Sequence, residues 1–189
     1  MDGLKLLIAD HNRLRGLFTR YQTTQDAGER EAMARLVREM DRELSVHTDI
    51  EETVFYPWAR YLSADIAATV DEGLEEHHVA KVLLGEIKGL PAGEDDWVAK
   101  VKVLIENVEH HAGEEEDELF PPVRGASDAD TLRQLGDDLE ARKAELGAPT
   151  LADMADLTME QLHELAKIQE IPGRSSMDRE ELAATVSPD

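Results

Sequence analysis

Apolar and polar positions along most of the chain follow the period of an amphipathic helix. Near the N-terminus, apolar residues and one histidine recur every three or four positions, at Leu4, Ile8, His11, Leu14, Phe18 and Tyr21. The same period continues over about 30–56, 63–88 and 95–120, and polar or glycine-containing segments separate these stretches. The pattern therefore predicts four long helices joined by short turns.

Capping and helix-breaking residues set the expected ends of these helices. Ser63 is a suitable N-cap for the third helix, and an aspartate at 95–96 is suitable for the fourth. Proline lacks a backbone N–H and clashes with the preceding turn, so Pro57 is expected to end or bend the second helix. For the same reason, Pro121 and Pro122 are expected to stop the fourth helix.

Four helices of similar length with short connections favour an all-α fold, an antiparallel up-down four-helix bundle. A fifth helix is expected near 128–146. Further on, Thr158 and Gln161 form a capping box that begins a short helix, and 182–186 favour one more. The expected division is a bundle over 1–125, an extra helix over 126–148 and a small C-terminal helical hairpin over 149–189.

The composition restricts the partners and the chemistry. The chain has 42 acidic and 20 basic residues, and its formal net charge is -22. This charge repels phosphate backbones and anionic lipids, so nucleic-acid and membrane partners are disfavoured. There is no cysteine, which excludes disulfides and thiolate metal sites. The first ten residues contain no basic segment ahead of a long apolar one, so a cytoplasmic location is expected.

The two halves of the predicted bundle repeat one motif. On the second helix, His47 is followed after four residues by Glu51, and on the fourth, His111 is followed by Glu115. In both copies a second glutamate comes next, and a proline lies ten residues after the histidine. The first and third helices carry matching acid-histidine doublets, Asp10-His11 and Glu76-His77. The predicted bundle therefore consists of two related helix pairs, whose equivalent residues are 64 to 66 positions apart in the sequence.

The histidines and glutamates of the repeat fall on the apolar faces of their helices. Residues four apart differ by about 40° around a helix, so His47 and Glu51 can reach one ion together. An ionised glutamate on an apolar face is costly to desolvate unless a cation meets it. The neighbouring His78 and His110 leave the apolar stripe and are expected at the surface. The repeat therefore predicts a site for a pair of metal ions with six ligands, His11, His47, Glu51, His77, His111 and Glu115.

This order of one histidine, His-x-x-x-Glu, one histidine and His-x-x-x-Glu on four successive helices resembles the hemerythrin-like, or HHE cation-binding, family over about 1–125. The resemblance implies a bundle of hemerythrin type and a non-haem di-iron centre, in which Glu51 and Glu115 bridge two iron ions that also share an oxo or hydroxo group. The ligand types independently suit iron, manganese or zinc. Glu52 and Tyr56 are further candidates for supporting donors around the centre.

One difference from the oxygen-carrying hemerythrins bears on the expected activity. Those proteins have a fifth histidine, from a His-x-x-x-His pair on the third helix, whereas the positions four residues from His77 are Gly73 and Lys81. Reaction with peroxide, nitric oxide or oxygen is therefore expected in place of reversible oxygen carriage. This would be catalase- or peroxidase-like detoxification in an oxidative or nitrosative stress response. The alternative is a non-catalytic iron- or oxygen-binding sensor or storage module that signals through the C-terminal tail.

The C-terminal tail has a resemblance of its own. Residues of about 155–189 are similar to the small SAP-like module at the N-termini of Rho termination factors, which implies contact with nucleic acid. Over 150–189, however, nine acidic residues stand against Lys167, Arg174 and Arg179. A protein partner, or a cap on the bundle, is therefore the favoured role of the tail.

Overall fold

The computed structural model describes residues 1–187, and every regular element in that range is helical, which confirms the all-α prediction. The first five helices are α1 (Gly3–Asp26), α2 (Arg30–Ile50), α3 (Tyr56–Ala59), α4 (Ala64–Lys88) and α5 (Asp95–Glu114). Helix α1 packs against α2, and α4 packs against α5. In the described part of the chain, none of the helices combines the length and apolar character needed to span a membrane.

Side-chain caps mark the beginning of α1 and α4. The Asp2 carboxylate accepts a hydrogen bond from the Lys5 backbone N–H at 3.0 Å. Ser63 caps α4 as predicted, since its hydroxyl accepts from the Ile66 N–H at 3.1 Å. Helix α5 differs from the prediction, because Glu94 occupies its N-cap position and makes no side-chain capping bond. The aspartates at 95–96 lie in the first turn instead, where a negative charge is favoured by the helix dipole.

A π-helical turn follows each helix that carries a His-x-x-x-Glu motif. These turns span Glu51–Phe55 and Glu115–Leu119, and α3 and α6 (Phe120–Ala126) continue directly from them. The prediction that the prolines at 121–122 stop the fourth helix is therefore wrong. Because proline needs no backbone N–H partner in the first turn of a helix, these residues fit the start of α6, as Pro57 fits α3.

Two apolar clusters lie among the long helices, and the histidines of the repeat separate them. The first cluster includes Leu14, Met40, Leu84 and Val101. The second includes Leu4, Ile50, Val70 and Leu119. Along α1 and α4 the chain passes from the second cluster through a histidine to the first, and along α2 and α5 in the opposite direction. The polar residues of the repeat therefore form a layer with apolar side chains on both sides.

Helix α7 (Ala129–Glu145) and the C-terminal tail, with α8 (Met159–Ile168) and α9 (Arg179–Thr185), extend this core. Leucines of α7 pack into the second cluster, whereas the tail forms a third cluster that includes Leu162 and Leu182. Helix α9 packs against α1. The tail therefore lies on α1, one of the helices that carry the repeat, while the predicted domain boundaries remain a prediction.

Gly16 and Arg13 on α1 hold the tail at close range. A Cβ atom at Gly16 would lie 2.4 Å from the backbone oxygen of Gln169, so only glycine permits this approach. The buried Arg13 guanidinium donates to the backbone oxygens of Ala184 and Thr185, at 2.9 Å for Thr185. These carbonyls end α9 and have no partner within the helix, so Arg13 acts as its C-terminal cap.

Replacing Gly16 with alanine should push the tail away from α1 and lower the free energy of unfolding by about 2 kcal/mol, because the added methyl overlaps a backbone oxygen. Gly85→Ala is the matched control, since nothing lies within 4 Å of a Cβ at Gly85. That change should raise stability by about 0.5–1 kcal/mol through helix propensity. Urea unfolding of both variants makes the comparison, and an undiminished stability of Gly16→Ala would contradict the described contact.

Candidate metal centre

The six predicted ligands lie together in the polar layer, and each is at most 6% exposed. The Nε2 atoms of His11 and His47 are 3.1 Å apart, and those of His77 and His111 are 3.0 Å apart. Each histidine pair therefore joins one helix pair, α1 with α2 or α4 with α5. The neighbouring His78 and His110 are exposed, as expected from their positions off the apolar stripe.

The two glutamates lie between the histidine pairs. Glu51 Oε2 is 3.3 Å from His47 Nε2 and 3.2 Å from His77 Nε2. Glu115 Oε2 is 3.2 Å from His11 Nε2 and 3.8 Å from His111 Nε2. One oxygen of each carboxylate therefore approaches imidazoles of both histidine pairs. The structure contains two overlapping groups of candidate ligand atoms, and Glu51 belongs to both.

Each of the four inward histidines has a carboxylate beside its Nδ1 atom. Their Nδ1 contacts are Glu116 with His11 at 2.8 Å, Glu52 with His77 at 2.9 Å, Glu76 with His111 at 2.8 Å and Asp10 with His47 at 3.8 Å. At His11, His77 and His111 the carboxylate lies within hydrogen-bond distance of Nδ1, which favours the tautomer whose Nε2 lone pair points inward, as in many metal sites of proteins. His47 Nδ1 forms no hydrogen bond within the described residues. Sequence reasoning identified only Glu52 among these carboxylates. The signal for the others was the repeat itself, in which Glu116 is equivalent to Glu52 and Glu76 is equivalent to Asp10.

Three of the four oxygens of Glu51 and Glu115 lack a hydrogen-bond partner within the described residues. Within the described residues, both Glu51 oxygens and Glu115 Oε2 form no hydrogen bond, although imidazoles lie nearby. Burial and the adjacent Glu115 raise the pKa of Glu51 well above its usual value. Burial also acts to raise the pKa of Glu115, but His111, His11 and His47 hold it below its usual value. Unsatisfied carboxylate oxygens facing inward imidazole nitrogens fit a divalent cation, because the ion satisfies both sets of atoms.

Tyr56 also reaches this layer. Its hydroxyl donates a hydrogen bond to Glu115 Oε1 at 2.9 Å and lies 3.5 Å from His111 Nε2. The π-helical turn explains this position, because the Tyr56 N–H bonds to the Glu51 carbonyl five residues earlier and places Tyr56 above Glu51. Burial and the charges of Glu115 and Glu51 raise the pKa of Tyr56 well above its usual value, so the phenol stays protonated.

The space that the Tyr56 hydroxyl occupies depends on Gly73. A Cβ at Gly73 would lie 2.9 Å from that hydroxyl and 3.4 Å from His111 Cε1. The Tyr56 ring stacks on His77 at a centroid distance of 5.5 Å. At the equivalent place in the other half of the repeat, Phe120 stacks on His11 at 6.0 Å. At this place the two halves of the site therefore differ by one hydroxyl group.

A buried cation from α7 lies behind His47. Lys143 is 2% exposed, and its Nζ is 2.6 Å from Asp10 Oδ1. Arg13 Nη2 is 3.6 Å from the same oxygen. Burial alone would raise the pKa of Asp10, but Lys143, His47 and Arg13 together hold it well below its usual value. Sequence reasoning missed Lys143, although a lysine four residues after Leu139 on the apolar stripe of α7 was a usable signal.

Replacing Lys143 with methionine should lower the free energy of unfolding by about 3 kcal/mol, because Asp10 would stay buried with its nearest cation removed. Lys102→Met is the control, since Lys102 is exposed and only pairs with Glu106 at 3.7 Å on its own helix. That change should cost no more than about 0.5 kcal/mol. Denaturant unfolding of the two variants gives the result, and equal losses would refute a special role for the buried pair.

Comparisons with known proteins place the chain in a family. No solved structure matches it. A protein of Nostoc sp. (strain PCC 7120 / SAG 25.82 / UTEX 2576) named DNA nickase is 27% identical over 139 residues, which cover 72% of this chain and 38% of that protein. The family model described as Hemerythrin HHE cation binding domain matches residues 2–123, well over half of the chain. The chain therefore belongs to the hemerythrin HHE cation-binding domain family.

Proposed function

We propose that this protein holds a pair of iron ions through its four inward histidines and its two buried glutamates, and that the centre reacts with peroxide, nitric oxide or oxygen. The observation that carries the proposal is the convergence of four Nε2 atoms on carboxylate oxygens that lack hydrogen bonds. Glu51 and Glu115 are the proposed bridging ligands. We also propose that the four long helices form the predicted up-down bundle. The two apolar clusters follow each other in opposite order along α1 and α2, and again along α4 and α5, as expected for antiparallel neighbours.

The donor set favours iron or a similar borderline metal. Neutral imidazoles and carboxylates suit iron, manganese and zinc, and the chain has no thiolate that would select a softer ion. A bound iron pair would supply redox chemistry toward small oxidants. The protein's part is to hold His11, His77 and His111 in one tautomer through their Nδ1 hydrogen bonds and to keep water away with the two apolar clusters.

The size of the adjacent cavity limits the reactants. A cavity of about 10 Å³ lies beside the centre and is lined by residues that include His77, Ala80, Val108 and His111. This volume is close to the space that one water molecule needs. The cavity therefore excludes an organic substrate and limits the proposed reactants to molecules of a few atoms, such as peroxide, nitric oxide and oxygen.

Tyr56 is the proposed proton donor of the centre. Its hydroxyl holds a proton 2.9 Å from Glu115 Oε1, and its raised pKa keeps that proton in place at neutral pH. Gly73, which lies one helical turn before His77, leaves the space that the hydroxyl needs. A protonated phenol beside the candidate ligands can lend a proton to a reactant and take it back. This favours catalase-like disproportionation, in which one peroxide is reduced to water and a second is oxidised to oxygen, over reversible oxygen binding.

The metal content should depend on His77 and not on its neighbour. We expect two ions per chain in the purified protein and fewer than one in His77→Gln, because the change removes an inward Nε2 donor. His78→Gln is the matched control, since His78 is exposed, and it should keep both ions. Elemental analysis with an optical spectrum gives the count and the metal. Equal metal content in the two variants would contradict the ligand assignment.

Peroxide consumption by the iron-loaded protein should fall at least about tenfold in Tyr56→Phe while the metal content stays at the wild-type level. Tyr21→Phe is the control, because the Tyr21 hydroxyl is also buried but lies in the first apolar cluster without a partner. Stopped-flow mixing with peroxide measures both rates. No peroxide loss above free iron in the wild type would refute the enzymatic proposal and favour a sensor, and equal rates in the two variants would refute the role of Tyr56.

DNA nicking is a second candidate function, supported by the name of the Nostoc relative. The net charge of -22 opposes binding to a DNA backbone. The matched part also covers only 38% of that relative, so its remaining segments have no counterpart in the alignment. The His77 and His78 variants test this candidate as well. Nicking of supercoiled plasmid by wild type and His78→Gln, but not by His77→Gln, would support it.

A further inference from the structure

Within residues 1–187, three exposed arginines of this acidic protein form no ion pair or hydrogen bond. The chain has 20 lysines and arginines against 42 acidic residues, so a cation without a partner is unusual. In the part of the chain that the structure describes, the other 17 each contact a carboxylate or a backbone oxygen. The three exceptions are Arg35, Arg38 and Arg42, which are exposed and share one face of α2 at intervals of three and four residues.

These arginines line a groove between α1, α2 and the C-terminal tail. One cavity of about 610 Å³ is lined by all three together with Arg20 from α1. A second cavity of about 730 Å³ continues from it, and both share Arg20, Arg42 and Ile168. The lining of the second cavity includes Val46, Leu146 and Pro149. The groove therefore has a cationic part and a part with apolar side chains.

Most carboxylates along the groove are already paired. Their ion pairs are Glu39 with Arg20 at 3.3 Å, Asp41 with Lys88 at 2.8 Å and Glu43 with Arg13 at 3.0 Å. Glu170 is the remaining carboxylate in the lining of the first cavity. The uncompensated charge of the cationic part is therefore positive, in a protein whose overall charge is strongly negative.

Guanidinium groups bind phosphate through paired hydrogen bonds, and arginine is enriched where phosphate recognition matters. Arg35 and Arg42 are seven residues apart, about 10 Å along the helix, which suits two or three linked phosphates. The cavity volumes fall in the range of small-molecule sites. A long nucleic acid would extend beyond the groove onto an acidic surface that repels it.

We propose that this groove binds a small ligand with two or more linked phosphate groups, of the nucleoside diphosphate or triphosphate class. Arg35, Arg38 and Arg42 would bind the phosphates, and the apolar side chains of the second cavity would contact the remainder of the ligand. This site uses none of the candidate metal ligands. It is therefore independent of the proposed iron chemistry, and it gives the tail a role as one wall of a binding site.

Calorimetric titration of the full-length protein with ATP, sodium tripolyphosphate and a single-stranded oligonucleotide tests the proposal. The test variant is Arg35→Gln/Arg38→Gln/Arg42→Gln. The matched control is Lys100→Gln/Lys102→Gln/Arg133→Gln, which removes the same charge from exposed ion pairs elsewhere. Any binding at the metal centre is common to both variants, so the difference between them reports the groove.

We expect ATP to bind the wild type and the control alike, and the arginine variant at least about tenfold more weakly, with affinity falling as salt rises. Absence of ATP binding to the wild type, or equal losses in the two variants, would overturn the proposal. Tripolyphosphate binding as tight as that of ATP would refute the apolar contact. An oligonucleotide bound more tightly than ATP through the same arginines would refute the small-ligand class and indicate a nucleic-acid surface.

Discussion

Two carboxylates buried among imidazoles impose the main constraint on this structure. Glu51 and Glu115 are at most 3% exposed, and three of their four oxygens lack a hydrogen bond within the described residues. Burying such groups without a partner costs several kcal/mol, up to about 7 kcal/mol for a polar group and more for a charge. The cation that this family binds offsets that cost. The surrounding helices therefore need to hold the imidazoles so that their Nε2 atoms face the same ions.

The internal repeat builds this environment twice, but the two copies are not equivalent. The Glu76 carboxylate lies 2.8 Å from His111 Nδ1. In the other copy the corresponding residue is Asp10, whose side chain is shorter, and its carboxylate lies 3.8 Å from His47 Nδ1. Tyr56 and Phe120 occupy equivalent places directly after the π-helical turns, and only Tyr56 brings a hydroxyl group. The candidate ligands of the two halves therefore have different neighbours, which would tune the metal-binding properties of each half separately.

The helices beyond the family domain are attached to the same layer. Lys143 from α7 neutralises Asp10, which in turn contacts His47. Arg13 contacts Asp10, and it also caps the C-terminus of α9 by donating hydrogen bonds to the carbonyls of Ala184 and Thr185. A shift of the tail would therefore change the charge around Asp10, and this gives a physical connection between the C-terminal helices and the candidate centre.

The sequence by itself determined the helical class, the positions of the four long helices and the set of six inward residues. These depend on helix period and on an internal repeat, which are local properties of the chain. Only the tertiary structure decided the rest. The prediction assumed α-helical geometry after both His-x-x-x-Glu motifs, whereas the structure has π-helical turns with i to i+5 hydrogen bonds there. One of these turns places the Tyr56 hydroxyl next to Glu115, and the other leads directly into α6, so the helix continues through Pro121. The pairing of Lys143 with Asp10 joins residues 133 positions apart, and such contacts depend on how distant helices pack and not on any local pattern.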